Sequence, residues 1–267
     1  MIVLGKKSVR YITIIATTFS ILWLLSFGWA IQNYYAGASN NEIKKQVNPK
    51  TIENKDQAFT IVALGDSLTR GTGDDSGKGY VGYVIDDLKQ RFNGHVIVHN
   101  LAINGQVSSQ LKEQVKQQNI QRQLAFADTI FLSIGANDLF QQGRTLENFD
   151  SAAIKIIKQN FIDNMRIIFA DIRKVNSDAP IFFVGLYNPF FEADHTGVTS
   201  PTVHDWNRTA EDMSSSDPRI VFVPTFDIFQ LFVNDYLYSD KFHPNQQGYR
   251  LIANRISPFI KWEGEGK

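Results

Sequence analysis

Five short runs of apolar, largely β-branched or aromatic residues decide what this chain can fold into. They are Phe59–Leu64, Val96–Val98, Thr129–Ile134, Ile181–Leu186 and Ile220–Val223. Each is too short for a convincing helix, and each is continuously apolar rather than alternating, as strands buried on both faces are. Stretches with helical spacing lie between them. Tyr80 to Phe92 carries apolar residues at 80, 81, 84, 85, 88 and 92. Val107 to Gln118 reads as a polar helix, Phe149 to Val175 as a long one, Pro201 to Met213 as a shorter one and Pro244 to Phe259 as the last. A loop from Tyr187 to Ser200 follows the fourth run. Continuous apolar strands separated by helices predict an α/β domain built on a five-stranded parallel sheet, covered on both faces.

The sequence before Phe59 has a different character. Lys6, Lys7 and Arg10 precede Tyr11 to Ile31, 21 residues without a charge. At about 1.5 Å per residue this run spans roughly 30 Å, the thickness of a bilayer's hydrocarbon core. Trp23, Trp29, Tyr34 and Tyr35 crowd its far half, as interfacial aromatics do. Residues 1–35 are therefore expected to be a single-pass transmembrane anchor. The preceding cations place the N-terminus in the cytoplasm and the remainder of the chain outside it. The rival is a signal peptide cleaved near Ala38, because Ala36-Gly37-Ala38 has the small-x-small pattern, although the apolar run exceeds the usual signal length. Residues 36–57 are polar with mixed charges and read as a linker. Residues 58–262 then form the folded domain. With 43% of the chain hydrophobic, the material for one sizeable core is present. Lys plus Arg equal Asp plus Glu at 27 each, so no basic face is available for a nucleic acid. The chain has no cysteine, which excludes disulfides, thiolate metal sites and a cysteine nucleophile.

In open α/β sheets, chemistry collects beyond the carboxyl ends of the strands. The first strand stops at Gly65, and Ser67 is displayed just beyond it. A serine needs a base, a group to orient the base, and donors for the oxyanion. His243 is the leading base. It precedes Pro244, which keeps it out of helical geometry and suits the first turn of the last helix. Asp240, three residues earlier, is placed to reach its Nδ1; alternatively the pair merely caps that helix. His95, His99, His195 and His204 lack a carboxylate so placed. Three donors follow strand ends: the Ser67 N–H, the Gly105 N–H and the Asn137 side-chain amide. Gly105 and Asn137 also have plain readings as turn or cap residues.

Gly65-Asp66-Ser67-Leu68, Gly105, Gly135-x-Asn137-Asp138 and Asp240-x-x-His243 resemble, in order, the blocks of the GDSL or SGNH hydrolase superfamily. The resemblance covers about Phe59 to Ile260. It implies a flavodoxin-like three-layer sandwich, the SGNH hydrolase fold, preceded by one N-terminal transmembrane helix. It also implies Ser67 as nucleophile, His243 as base and Asp240 as its orienter. Ser67, Gly105 and Asn137 form the oxyanion hole, and Asp66 and Asp138 hold turns. The membrane-anchored form looks like extracytoplasmic GDSL proteins of Gram-positive bacteria. No metal or organic cofactor is implied.

The expected function is hydrolysis of carboxylic esters, such as lipid or lysophospholipid esters, through an acyl-serine intermediate. The alternatives are an O-acetyl esterase acting on cell-envelope polysaccharide and, from a different class, a non-catalytic envelope-binding protein on the same fold. The expected partners are the ester substrate and the membrane. Phe190 and Phe191, in the loop after the fourth strand, are candidate walls of an acyl pocket, with Leu139 and Phe140 opposite.

Overall fold

The computed structural model describes residues 16–23, 26–27, 58–92, 94–141 and 149–261. The chain divides into two compact units, Met1–Glu53 and Asn54–Lys267. In the first, residues 16–23 are helical and exposed. Most of the expected membrane span and the whole expected linker lie outside the described residues. Among the described residues, no helix is long and apolar enough to cross a membrane.

The second unit holds the sheet. Its strands are β1 (Ala58–Gly65), β2 (His95–Asn100), β3 (Thr129–Ser133), β4 (Ile181–Val184) and β5 (Ile220–Val223), all parallel, in the order β2-β1-β3-β4-β5. The helices are α1 (Ser67–Arg70), α2 (Gly79–Arg91), α3 (Ser108–Gln114), α4 (Gln118–Ala125), α5 (Ala136–Phe140), α6 (Ser151–Val175), α7 (Thr199–Ser214), α8 (Phe226–Gln230), α9 (Val233–Tyr236) and α10 (Gln246–Ile256). A short 3-10 turn, Ser257–Phe259, follows α10.

The period of two along each strand sorts side chains into two cores. Val62 and Leu64 of β1, with Ile130 and Leu132 of β3, pack on one face against α3, α4, α6 and α7 through Leu111, Leu124, Phe161, Met165 and Trp206. Ile61 and Ala63, with Phe131, pack on the other face against α2 and α10 through Tyr80, Val84, Tyr249 and Ile252. This is the predicted three-layer arrangement. Central strands buried on both faces are apolar throughout for this reason. The edges β2 and β5 are only partly covered.

The connections reverse at β1, which pairs with β2 on one side and β3 on the other. Such a reversal opens a crevice beyond the carboxyl ends of the two central strands. The backbone there is close-packed. Gly65 has φ of 123°, and a Cβ at that position would sit 1.8 Å from the Ser133 carbonyl oxygen, so only glycine fits. Gly135, after β3, has φ of 116°, and a Cβ there would lie 3.0 Å from the Phe161 and Trp206 rings.

Two expected elements differ, and two short helices were not expected. The polar helix expected over 107–118 is two helices, α3 and α4, separated around Val115–Gln117, where Val115 turns inward to the core. Pro244 is not in the first turn of the last helix. It bridges to Leu237 in the preceding loop, and Asn245 caps α10 by accepting from the Gln247 and Gly248 N–H groups. The short helices α8 and α9 had no periodic signal.

Candidate active site

Ser67 is the first residue of α1, and its position is fixed from beneath by a chain of hydroxyl groups. Asp66 caps α1, its Oδ1 accepting from the Leu68 N–H at 3.1 Å and from the Ser133 hydroxyl at 2.7 Å. The Thr69 hydroxyl donates to Ser133 at 2.7 Å. Because that hydrogen is used, the Tyr80 hydroxyl, 2.6 Å from Thr69, must be the donor in the next link. The line therefore runs Tyr80 to Thr69 to Ser133 to Asp66, one residue from the serine. Burial pushes the Asp66 carboxyl up to about 6, against the opposing hydrogen bonds from Ser133 and Leu68.

His243 comes from the loop between α9 and α10. Asp240 organises that loop: its Oδ1 accepts the Phe242 and His243 N–H groups, each at 2.9 Å, and its Oδ2 lies 2.6 Å from His243 Nδ1. His243 Nε2 lies 2.8 Å from Ser67 Oγ. Partial burial acts to raise the Asp240 carboxyl, but the His243 ring and the two peptide N–H groups outweigh it and hold the carboxyl below its ordinary value. An ionised Asp240 needs a hydrogen on Nδ1. That leaves the Nε2 lone pair facing the serine hydroxyl. Tyr187 fixes the loop from the side, donating its hydroxyl to the Phe242 carbonyl at 2.5 Å.

The donors form a second group. Asn137, in the first turn of α5, gives one amide hydrogen to the Gln106 carbonyl at 3.0 Å, which seats it beside the Gly105–Gln106 segment and leaves its other hydrogen without a partner among the described residues. Gly105 has φ of 74°, a turn conformation that favours glycine. Neither the Ser67 nor the Gly105 N–H donates a hydrogen bond among the described residues. Asp138 accepts from the Ser108 N–H and hydroxyl, the latter at 2.6 Å, and so holds the start of α3; burial raises its carboxyl. Asp66 and Asp138 are thus the turn-holding residues they were expected to be.

Two hollows flank the serine–histidine pair. A closed cavity of about 20 Å³ is lined by Ser67, Ala136, Phe140, Pro189, Phe242 and His243, among others. An open cleft of about 580 Å³ is lined by Gly105, Asn137 and polar residues of α5 and α6. The expected apolar walls need correction. Leu139 is 1% exposed and points into the core, because the phase of the short helix α5 turns Phe140 rather than Leu139 to the cavity. Phe190 packs on Phe140 and Phe242, with ring centroids 5.2 and 5.9 Å away, behind the cavity wall rather than on it. Phe191 is exposed and does not line the cavity. Sequence reasoning missed Phe242, Tyr187 and the Tyr80–Thr69–Ser133 line. The proximity of Phe242 to His243 was the one available signal for the first.

Known proteins resemble this chain over most of its length. The profile of the GDSL-like lipase/acylhydrolase family matches residues 63–251. The chain belongs to that family. It is thereby a carboxylic ester hydrolase. Among its relatives, Bacillus subtilis YpmR, described as an uncharacterized protein, is 36% identical over 216 residues, covering 77% of this chain and 83% of that one. The spore germination lipase LipC of Bacillus licheniformis is 24% identical over 200 residues, covering 73% and 92%. The crystal structure of the lipase Lip_vut3 from a goat rumen metagenome superposes with a TM-score of 0.69 at 24% identity, covering 75% of this chain and 96% of that one. At that identity the last likeness speaks for the fold alone.

Proposed function

We propose that this family member cleaves esters of short acyl groups through an acyl-serine on Ser67. The observation that carries the reading is the line Asp240–His243–Ser67, at 2.6 and 2.8 Å, ending on a serine at the first turn of a helix. Ser67 Oγ attacks the ester carbonyl carbon as its proton passes to His243 Nε2. The negative charge on the carbonyl oxygen is met by the Ser67 and Gly105 N–H groups and the second amide hydrogen of Asn137. The bond from the carbonyl carbon to the alkoxy oxygen then breaks, and that oxygen takes the proton from His243. Water attacks the acyl-serine with the same histidine as base, releasing the acid and restoring Ser67.

The closed cavity supports the short acyl group, since about 20 Å³ holds roughly one water-sized or methyl-sized group. A second reading, a longer lipid acyl chain, is favoured by the aromatic wall of Phe140 and Phe242 and by the likeness to a spore germination lipase. The enzyme works outside the membrane on a single-pass anchor; the 21-residue apolar run and the cations before it support this. The deciding experiment measures p-nitrophenyl acetate, butyrate and octanoate hydrolysis by wild type, Ser67→Ala, His243→Ala and the double variant. Each single variant loses nearly all activity, and the double is hardly worse, because the two residues act as one unit. Turnover surviving in folded Ser67→Ala would refute the mechanism. A kcat/KM rising from acetate to octanoate would replace the short-chain reading with the lipid one.

A further inference from the structure

The open cleft is not accounted for by catalysis. It lies between α3, α5 and α6, and its volume of about 580 Å³ is within the range of small-molecule sites. Its wall is mixed: Val107 and Ile157 line it, but Ser109, Asn137, Gln141, Asn160, Asp163 and Asn164 give it more polar than apolar residues. Asn160, Asp163 and Asn164 follow one another at helical spacing and make one face of α6. Its floor is already tied together. Lys112 donates to Asn164 at 2.7 Å, Asn164 to the Ser108 hydroxyl at 3.0 Å, and Ser108 to Asp138, so α3, α5 and α6 hold a fixed spacing. Asn160, by contrast, is exposed and makes no hydrogen bond among the described residues. Gln141 holds a left-handed backbone, with φ of 47°. Only one other non-glycine residue among those described does so: Lys241, in the histidine loop, with φ of 56°. At Gln141 this conformation ends α5, as a left-handed residue commonly ends a helix.

The two hollows meet at α5, where Ala136 lines the closed cavity and its neighbour Asn137 lines the cleft. An ester carbonyl seated between Ser67 and Asn137 has its acyl group on the closed side and its alcohol on the open side. We propose that the cleft is the alcohol subsite and takes a polyhydroxylated alcohol, a sugar residue, with Asn160 and Asp163 binding its hydroxyl groups. This rests on the serine-esterase reading above. Asp163 already accepts from Gln159 and pairs with Arg166, both exposed, but Asn160 makes no hydrogen bond among the described residues; an alkyl chain would strip water from its amide and give it no partner, whereas hydroxyl groups both donate and accept. The open end also suits a residue that continues into a longer glycan.

The test compares an O-acetylated hexose with octyl acetate, which carries the same acyl group on an apolar alcohol. In wild type, kcat/KM is higher for the sugar ester. In Asn160→Leu and Asp163→Leu, the ratio of the two values falls at least tenfold, chiefly through KM for the sugar ester. Lys155→Leu, exposed on the same helix but outside the cleft, keeps the ratio. A ratio unchanged in both cleft variants, or a wild type that prefers octyl acetate, overturns the subsite. Hydrolysis of p-nitrophenyl acetate that depends on Ser67, run in parallel, separates the two levels: its presence with an unchanged ratio sinks the subsite alone, and its absence sinks the esterase reading with it.

Discussion

At the scale of single residues, the site divides its work between groups that meet substrate and groups that hold them. Asn137 belongs to the first kind. In the mechanism proposed above its second amide hydrogen acts on charge that develops in the transition state, so Asn137→Ala should lower kcat by about 10²- to 10³-fold with KM little changed. Steady-state kinetics on a p-nitrophenyl ester checks this, and a rise in KM alone would show ground-state binding instead. Asp66 belongs to the second kind and carries its own pH signature. Its folded-state carboxyl sits near 6 against an ordinary 3.8, so between about pH 4 and 6 the native protein holds a proton that the unfolded chain has lost. Its contribution to stability is therefore complete below about pH 4 and is lost as pH rises through about 6. Urea unfolding at pH 4.5 and 7.5 shows this as a wild-type decrease that Asp66→Asn lacks; equal slopes in the two proteins would refute it.

At the scale of elements, two helices begin in the same way. Asp74 accepts from the Ser76 N–H and hydroxyl and from the Gly79 N–H at the start of α2. Asp194 accepts from the Thr196 N–H and hydroxyl and from the Thr199 N–H at the start of α7. Gly77 and Gly197 occupy the same place in the two loops, with φ of 69° and 71° and open space where a Cβ would go. Each loop is thus a preformed cap. Asp74→Ala and Asp194→Ala each cost about 1–2 kcal/mol, and Gly77→Ala and Gly197→Ala each cost about 1 kcal/mol from backbone strain alone. Denaturant midpoints measure all four, and a glycine variant at wild-type stability would contradict the assignment. The loops also show where reading a sequence stops. The five strands were legible because burial on both faces leaves no polar positions. Ser67, Asp240 and His243 were legible because local chain geometry places them at strand and helix ends. Leu139 and Phe140 were not separable, since a five-residue helix shows no phase until its first residue is known. The break between α3 and α4 was hidden because a polar helix has no stripe to interrupt. Pro244 misled because its fixed φ suits a helix start as well as the loop it occupies, and the Asn245 side chain supplies the cap instead.

At the scale of the whole molecule, the division between the units Met1–Glu53 and Asn54–Lys267 falls, in sequence, within the polar stretch expected to be the linker. Trypsin added to intact cells or protoplasts should cut among Lys44, Lys45, Lys50 and Lys55 and release an active fragment of the ester hydrolase. Mass spectrometry of the uncut protein should find residues 1–35 in place. A mature N-terminus at Ser39 would establish a cleaved signal peptide, and resistance in intact cells with cleavage after lysis would put the domain on the other side of the membrane.

Ser67 and His243 stand 176 positions apart in the chain and 2.8 Å apart in space. The serine is therefore synthesised well before the histidine. Until synthesis passes His243 the growing chain carries a hydroxyl with no partner to activate it, and copies terminated before that residue lack the base whatever else they fold. Ester turnover then reports that synthesis has passed His243 and that the chain has closed upon itself.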